Sequence, residues 1–410
     1  MRITIINQFY APDISPTAHL SASLAEGLAA NGHRITVITS RGGYVEASKV
    51  ETATGENPRI VRVWTPRLGK KTIIKRCIDY SSFYLGAAHR MVQLPPQDVI
   101  ISLTTPPYIA WTSVLHRALH SRTKLVLWNM DCYPDAVERA GIMKKNGAMS
   151  RFMRLLNRAL FRRLDHLICL DHAMAGLLLN QYASPNRPPP TSVIPNWEKA
   201  SFFTPAATAL PAWEDAQQPP LAGQFIVLYL GNAGFGHHFG TIIEAAGRLR
   251  DRGVVFLFVG GGKAWDDLKN IRAREGLDNL ILHGYMQNKQ DTIRIMAAAD
   301  CALITLRDDM AGVMSPSKLH ANLAMGLPVL YVGPVGSNVD EAIQRFGCGL
   351  SVREGDLDSV VGFIESAMAD PDRWKAMKTA ARHAFETAYC DEKTLPRFER
   401  VIASLFEHQT

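Results

Sequence analysis

The segment SPSKLHANLAMGLPVLYV, residues 315–332, contains a helix start, a helix stop and a buried strand in succession. Ser315 is a favourable N-cap, because its hydroxyl can accept from the free N–H groups of a first turn. Pro316 suits the first helical position, where its missing N–H costs nothing. Gly326–Pro328 then ends the helix, and Val329–Val332 is apolar enough for a buried strand. The segment therefore predicts the helix-to-strand step of an α/β domain.

The start of this predicted helix also favours phosphate binding. Helix N-termini present unpaired N–H groups and a partial positive charge, and Lys318 adds a cation in the first turn. We therefore predict that Ser315, Ser317 and Lys318 contact a phosphate group. The alternative is a well-capped ordinary helix that carries a solvated lysine.

Elsewhere the chain alternates short apolar runs with helical segments such as Ala18–Asn31. The runs are continuous rather than alternating, which is typical of parallel sheets covered on both faces. Arg2–Ile6, Arg34–Thr39, Ile60–Trp64, Asp98–Ser102, Lys124–Trp128, His166–Leu170 and Ser192–Pro195 form the first predicted set of strands. Phe225–Leu230, Val254–Val259, Leu280–His283, Cys301–Thr305, Val329–Val332 and Leu350–Val352 form the second.

A segment of different composition separates these two sets of strands. Residues 204–223 are rich in Pro, Ala and Gln without periodicity, which indicates a linker. We predict an α/β protein with two Rossmann-like, doubly wound domains, residues 1–203 and 224–388, that face a cleft. Residues 389–410 should form a last helix that packs back on the first domain.

Glycine-rich turns follow the first two strands of the second domain, at Gly231–Gly236 and Gly260–Gly262. Such turns let backbone N–H groups approach a diphosphate. Their spacing is not the dinucleotide fingerprint, and each is also compatible with a plain strand-to-helix turn. The predicted donor-binding residues in these turns are Gly231, Asn232, Gly234, Gly236, Gly261 and Gly262.

Composition and cysteine spacing indicate the cellular compartment in which the protein is expected. The 410 residues contain no apolar run of the roughly 18 residues that a membrane span needs. A strand begins at Arg2, so we expect no secretory signal. The six cysteines are scattered without metal-ligand spacing, which fits a reducing cytoplasm and predicts no metal site. A net charge of +7 weakly favours an anionic partner.

Much of that positive charge lies in residues 144–163, where basic and apolar residues alternate with helical periodicity. Such a helix can lie on an anionic bilayer surface. The alternative is that its apolar stripe faces the protein core. The basic residues are Lys144, Lys145, Arg151, Arg154, Arg158, Arg162 and Arg163.

Several motifs together resemble the family 4 retaining glycosyltransferases of the GT-B fold. In the second domain the matching segments are Tyr229–Gly234, Phe258–Gly262, Ala297–Asp300, Pro316–Leu319 and Gly326–Val329. In the first domain they are Gln8–Pro12, Leu28–His33, Asp131–Asp135 and Ile194–Trp197. Asp131–Asp135 resembles a D-x-Y-P-[DE] motif of the branch that assembles polysaccharides.

This resemblance implies transfer of a sugar from a nucleotide-sugar to a glycan or lipid-linked acceptor, with retention at the anomeric carbon. It implies no cofactor and no essential metal. The departing diphosphate would help to deprotonate the acceptor, so the protein's main task would be to stabilise the charge on that diphosphate. We expect no nucleic-acid partner, and a cytoplasmic protein that is peripheral on the inner face of the plasma membrane if residues 144–163 bind lipid.

The sequence departs from the family pattern at four positions. Asn232 and His237 replace the Arg and Lys that many members carry in the first glycine turn. Val313 and Ala321 replace two glutamates. We expect Lys318, together with His237 if it is protonated, to offset the lost cations.

The candidate catalytic residues are therefore Lys318, His237 and Asp131. His238 is an alternative to His237. Asp131 follows a predicted strand end and is assigned to orient the acceptor hydroxyl; the alternative is that it caps the following turn.

Two other functions remain open from the sequence. One is a GT-B nucleotide-sugar epimerase, which would convert the donor without an acceptor. The other is a non-catalytic partner that binds nucleotide-sugar and assists an active transferase, which the missing glutamates favour.

Overall fold

A computed structural model of the chain describes residues 1–13, 15–41, 57–66, 68, 73–204, 221, 223–286 and 288–407. Most of the predicted linker, residues 204–223, lies outside this set. The chain divides into two compact units: Met1–Pro195 with Thr394–Thr410, and Asn196–Lys393. Each unit is a Rossmann-like α/β domain, which confirms the predicted fold class.

The first unit is built on one parallel sheet. Its described strands follow the order β3-β2-β1-β4-β5-β6-β7, and every pairing is parallel. The order reverses at β1, as in doubly wound sheets. The strands are β1 (Arg2–Ile6), β2 (Arg34–Ser40), β3 (Arg59–Val63), β4 (Val99–Ser102), β5 (Lys124–Trp128), β6 (His166–Cys169) and β7 (Thr191–Val193).

Helices connect these strands and cover the sheet. The crossovers from β4 to β7 all step in one direction, so right-handed connections place their helices on the same face of the sheet. The helices are α1 (Pro16–Ala30), α2 (Ile73–Gln93), α3 (Ala110–Leu119), α4 (Asp135–Arg139), α5 (Ala148–Phe161) and α6 (His172–Tyr182).

The second unit repeats this plan with strand order β10-β9-β8-β11-β12-β13 among its described residues. Its strands are β8 (Phe225–Asn232), β9 (Val254–Gly261), β10 (Leu280–His283), β11 (Cys301–Thr305), β12 (Val329–Val332) and β13 (Gly349–Val352). Its helices are α7 (Gly240–Arg248), α8 (Trp265–Glu275), α9 (Lys289–Ala298), α10 (Lys318–Ala324), α11 (Asn338–Phe346), α12 (Leu357–Ala369) and α13 (Pro371–Ala384). The pairings are again parallel throughout.

The last helix, α14 (Asp391–Ser404), leaves the second unit and packs on the first. The ring of Phe398 is buried against that of Trp128, with centroids 4.8 Å apart. Arg397 Nη2 donates to the carbonyl oxygen of Val193 at 2.7 Å. Apolar burial and a charge-assisted hydrogen bond therefore hold the C-terminal segment on the first sheet.

The prediction for the start of α10 is wrong. The helix begins at Lys318, and Ser317, not Ser315, occupies the cap position, without a capping hydrogen bond from its side chain. Asn338 Nδ2 donates to the carbonyl oxygen of Pro316 at 3.2 Å, so α11 holds this carbonyl outside the first turn of α10. The predicted end is confirmed, because Gly326 has φ of 67° and Val329–Val332 is a buried strand.

Candidate active site

The two glycine turns lie side by side at the carboxyl ends of β8 and β9. Gly231 pairs with Gly260, and Asn232 pairs with Gly261. Both Gly231 and Gly260 have φ in the left-handed region, at 121° and 141°. A Cβ on Gly260 would overlap the backbone of Gly231, so only glycine permits this close approach. The neighbouring strand β11 ends at Thr305, which brings a third strand end to the same edge.

Lys318 reaches this edge from the first position of α10. Its Nζ donates to the phenol oxygen of Tyr229 at 2.8 Å and to the carbonyl oxygen of Asn232 at 3.4 Å. The ammonium lies 4.4 Å from the centroid of the Tyr229 ring, within cation–π range. A Cβ on Gly231 would come within 3.0 Å of Lys318 Cε, so the missing side chain makes room for the lysine.

His237 completes the cluster around Lys318. Its Nε2 lies 3.0 Å from Lys318 Nζ, and its Nδ1 lies 2.8 Å from the carbonyl oxygen of Thr305. A carbonyl can only accept, so Nδ1 carries the proton and the lone pair of Nε2 faces the ammonium. The structure thus brings Lys318 and His237, both singled out from the sequence, into contact and adds Tyr229 and Thr305 to the cluster.

Burial governs the protonation of both groups. It lowers the pKa of Lys318 to about 7. Burial, with a further contribution from the charge of Lys318, lowers the pKa of His237 to about 3. His237 is therefore neutral at neutral pH. The second cation expected from the sequence depends on its protonation, and this condition is not met.

His238, the alternative to His237, points elsewhere. Its Nδ1 pairs with the carboxylate of Glu354, which also accepts from the backbone N–H of Thr241 at 3.1 Å. Glu354 therefore ties the end of the glycine turn to the start of α7. His238 has its own partner and does not contact Lys318.

Val313 and Ala321, which stand where many members of the resembled family carry glutamates, have apolar side chains in apolar surroundings. Val313 is buried, and Ala321 packs against an apolar cluster that includes Leu327. The side chains of Ser315 and Ser317 make no hydrogen bond within the described residues. Ser317 is exposed, so its hydroxyl is available to a ligand.

Asp131 lies in the first unit, just after the carboxyl end of β5. Its side chain lines a cavity of about 30 Å³ together with Asn129, Tyr133, Thr104 and Tyr108. Such a volume holds about two water molecules, so it admits a hydroxyl group but not a sugar ring. Burial raises the pKa of Asp131, which makes its carboxylate a stronger base.

The wall of this cavity is connected to α5. Tyr108 has φ of 67°, an unusual backbone conformation for a tyrosine, and its hydroxyl donates to the carbonyl oxygen of Met153 at 3.2 Å. Asn157, also from α5, lines the cavity and donates to the carbonyl oxygen of Tyr133 at 2.7 Å. The cavity beside Asp131 is therefore part of the same packed region as the basic helix.

The second aspartate of the Asp131–Asp135 motif has a structural role. Asp135 is buried and lies 3.1 Å from Arg154, which also pairs with Glu138 at 2.6 Å. The hydroxyl of Tyr182 donates to Asp135 at 2.7 Å. The sequence grouped Arg154 with the surface cations of α5, and this is corrected: Arg154 turns inward because two carboxylates neutralise it.

The rest of α5 keeps the predicted amphipathic surface. Met149, Phe152 and Leu155 are exposed by 60%, 55% and 61%. Arg151 and Arg158 flank them and are also exposed. Exposed apolar side chains at helical spacing are unusual on a water-facing helix. In the described part of the chain, no helix combines the length and apolar content that crossing a bilayer requires.

Two domain families match the chain, one in each unit. Residues 18–197 match the Glycosyl transferase 4-like domain, and residues 224–370 match the Glycosyl transferases group 1 domain. The solved structure of Anabaena Alr3699/HepE in complex with UDP has a TM-score of 0.71 at 14% identity, covering 98% of this chain and 100% of that one. Each unit therefore resembles a glycosyltransferase domain, and the chain has the GT-B fold.

Two proteins with similar sequences are also named as glycosyltransferases. "Probable glycosyltransferase WbjE" of Pseudomonas aeruginosa is 27% identical over 274 residues, or 65% of each chain. This chain thus matches about two thirds of the length of WbjE. "Putative colanic acid biosynthesis glycosyl transferase WcaI" of Escherichia coli (strain K12) is 23% identical over 418 residues, covering 97% of this chain and 98% of WcaI.

Proposed function

We propose that this protein transfers a sugar from a nucleotide-sugar to a glycan or lipid-linked acceptor, with retention and without an essential metal. The observation that carries the proposal is the contact set of Lys318. A partly buried cation lies against the glycine turns at three neighbouring strand ends, where ligands of α/β sheets bind. A diphosphate is the anion that such a site suits best.

Lys318 is assigned to the diphosphate of the donor. The interaction between the Lys318 ammonium and the diphosphate becomes more favourable as the glycosidic bond breaks, because the leaving diphosphate then gains negative charge. The glycine-turn N–H groups and the hydroxyl of Ser317 would complete the diphosphate contacts. Since Alr3699/HepE was solved with UDP, uridine nucleotides are the first donors to test.

His237 is assigned to position Lys318 rather than to contact phosphate as a cation. Its lone pair at Nε2 accepts from the ammonium, and Thr305 fixes the tautomer that makes this possible. Tyr229 is a second acceptor for the same ammonium. Both contacts hold the charge at the glycine turns before the donor binds, so less reorganisation is needed during the reaction.

Asp131 is assigned to the acceptor hydroxyl. Its carboxyl group makes no hydrogen bond among the described residues, and its cavity admits one hydroxyl. The name of WcaI refers to colanic acid biosynthesis, which favours an acceptor of the cell-envelope polysaccharide or glycolipid kind.

The exposed face of α5 supports action at a membrane. Its apolar side chains would enter the headgroup region while Arg151 and Arg158 contact anionic lipid. We infer a cytoplasmic protein that is peripheral on the inner face of the plasma membrane.

A panel of nucleotide-sugars tests the donor assignment through thermal stabilisation, because a specific ligand of the folded state raises its melting temperature. The stabilising donor is then incubated with lipid extracts of the source cell, and sugar transfer is followed with its anomeric configuration. Conversion of the donor without an acceptor would establish an epimerase instead. Stabilisation without transfer or conversion would establish a non-catalytic partner, which the apolar environments of Val313 and Ala321 favour.

A further inference from the structure

A basic groove lies in the first unit, at the opposite end of the sheet from Asp131. Its volume is about 1070 Å³. Lys124 and His166, the first residues of β5 and β6, line it. The loop before β7 and the end of α5 form its other walls. The groove is therefore separate from the cavity beside Asp131, which follows the other end of β5.

Positive charge dominates the lining. One carboxylate, Asp165, lies among the lining residues, and two cations already share it: Arg117 at 2.9 Å and Lys124 at 4.0 Å. Burial lowers the pKa of His166, which bonds to Ser192 and adds no charge at neutral pH. The cations that line the groove are Arg117, Lys124, Arg162, Arg163 and Arg187.

Part of this charge is fixed and part is free. Arg117 Nη2 donates to the carbonyl oxygen of Arg163 at 2.6 Å, and the Arg163 guanidinium stacks 5.4 Å from the Trp111 ring. Arg162 and Arg187 are exposed, and their side chains make no hydrogen bond or ion pair with any described residue. Two free guanidinium groups beside a rigid basic wall suit an anion with several oxygens, above all a phosphate.

The surroundings of the groove indicate whether it binds free phosphate or the phosphate of a lipid. Arg162 directly follows α5 and lies about two turns after the exposed Leu155, so the two side chains share one side of the helix. On α3, Leu115 and Leu119 are exposed and follow Trp111 at one-turn intervals. Exposed apolar side chains thus lie on two helices that contribute lining residues to the groove, Arg117 from α3 and Phe161 from α5. Free phosphate does not require such side chains, whereas a lipid does.

We propose that this groove binds the phosphate of an anionic phospholipid headgroup while α5 lies on the bilayer. The inference rests on the membrane part of the proposed function and adds a defined headgroup site to it. Arg162 and Arg187 contact the phosphate, and Arg117, Lys124 and Arg163 supply the surrounding charge.

The test compares two pairs of substitutions in the full chain. Arg162→Gln with Arg187→Gln removes the free groove cations. Arg252→Gln with Arg272→Gln removes the same charge from exposed positions of the second unit. Binding is measured to phosphatidylcholine vesicles with and without phosphatidylglycerol. The groove pair should lose roughly tenfold or more in affinity for the anionic vesicles, and the control pair less than about twofold.

Transfer to a short soluble acceptor in detergent should be unchanged in both variants, which verifies their folding. Equal losses for the two pairs would mean that only total charge matters and would overturn the groove assignment. An unaffected groove pair would also overturn it, while membrane binding through α5 stands. Saturable binding of inorganic phosphate that needs Arg162 and Arg187, without any vesicle binding, would overturn the lipid as the source of the phosphate.

Discussion

The Nζ atom of Lys318 lies 3.0 Å from Nε2 of His237, close enough for the ammonium to donate to the ring. The two side chains therefore do not act as a pair of cations. One charge, on Lys318, is held by acceptors at the end of β8 and by the histidine. Many members of the family that the sequence resembles carry an Arg and a Lys in the first glycine turn, whereas this cluster contains one lysine.

Nucleoside diphosphate binding should take up a proton near pH 8. The pKa of Lys318 is about 7 in the free protein, so above pH 7 much of the lysine is neutral. A bound diphosphate favours the charged form and raises this pKa. Affinity should therefore fall as pH rises from 7 towards 9. Calorimetry in buffers of different ionisation enthalpy measures the uptake, and Lys318→Met should abolish it.

Replacing His237 should impair the reaction without removing the charge. His237→Leu takes away an acceptor of Lys318, so the ammonium is held less firmly and kcat should fall about tenfold. His237→Gln offers an amide oxygen and should restore part of it. The midpoint of proton uptake should fall in the leucine variant, because leucine keeps Lys318 buried and removes an acceptor that stabilises its charged form. Unchanged kcat and midpoint in both variants would argue against a positioning role.

The strands were predictable because they are continuous apolar runs bounded by glycine, proline or charge. Their ends differ from the predicted ones by at most two residues, as for Val254–Gly261. The start of α10 was not predictable from Ser315, because a tertiary hydrogen bond from Asn338 holds Pro316 outside the helix. Here the tertiary contact outweighs the local preference of Ser315 for the N-cap position.

The site was predictable in part. Lys318 and the glycine turns follow motifs, whereas Tyr229 and Thr305 lie inside apolar strands and look like core residues in the sequence. Arg154 was assigned to the surface because its helical position is basic and amphipathic. Its partners Asp135 and Glu138 lie on a different helix, and no sequence pattern links them.

The two aspartates of the Asp131–Asp135 motif should behave differently. Asp131→Asn should lower transfer strongly and leave donor affinity and melting temperature nearly unchanged. Asp135→Asn should destabilise the fold by about 3 kcal/mol, because it leaves Arg154 with one fewer carboxylate in a largely buried site. Thermal melts and transfer rates measured together separate the two effects. Equal destabilisation by both would contradict the assignment of Asp131 to the acceptor.

The exposed face of α5 should bind anionic vesicles through both apolar and charged contacts. Binding should weaken as salt rises, because surface charge attraction is screened. Replacing Met149, Phe152 and Leu155 together by Ser should weaken binding further at every salt concentration. Leu85→Ser on α2, exposed by 74%, is the matched control outside α5. Salt-insensitive binding that the triple variant retains would contradict membrane docking through α5.

The central claim is that Lys318 stabilises the departing diphosphate, and the rate of sugar transfer by Lys318→Ala tests it most directly. With the cognate donor, transfer should fall about 10²-fold or more, the scale seen when one preorganised charge-stabilising group is removed. Lys318→Arg should recover only part of the rate, because a planar guanidinium does not reproduce the contacts of an ammonium. A Lys318→Ala variant that folds normally and transfers sugar at the wild-type rate would contradict the claim.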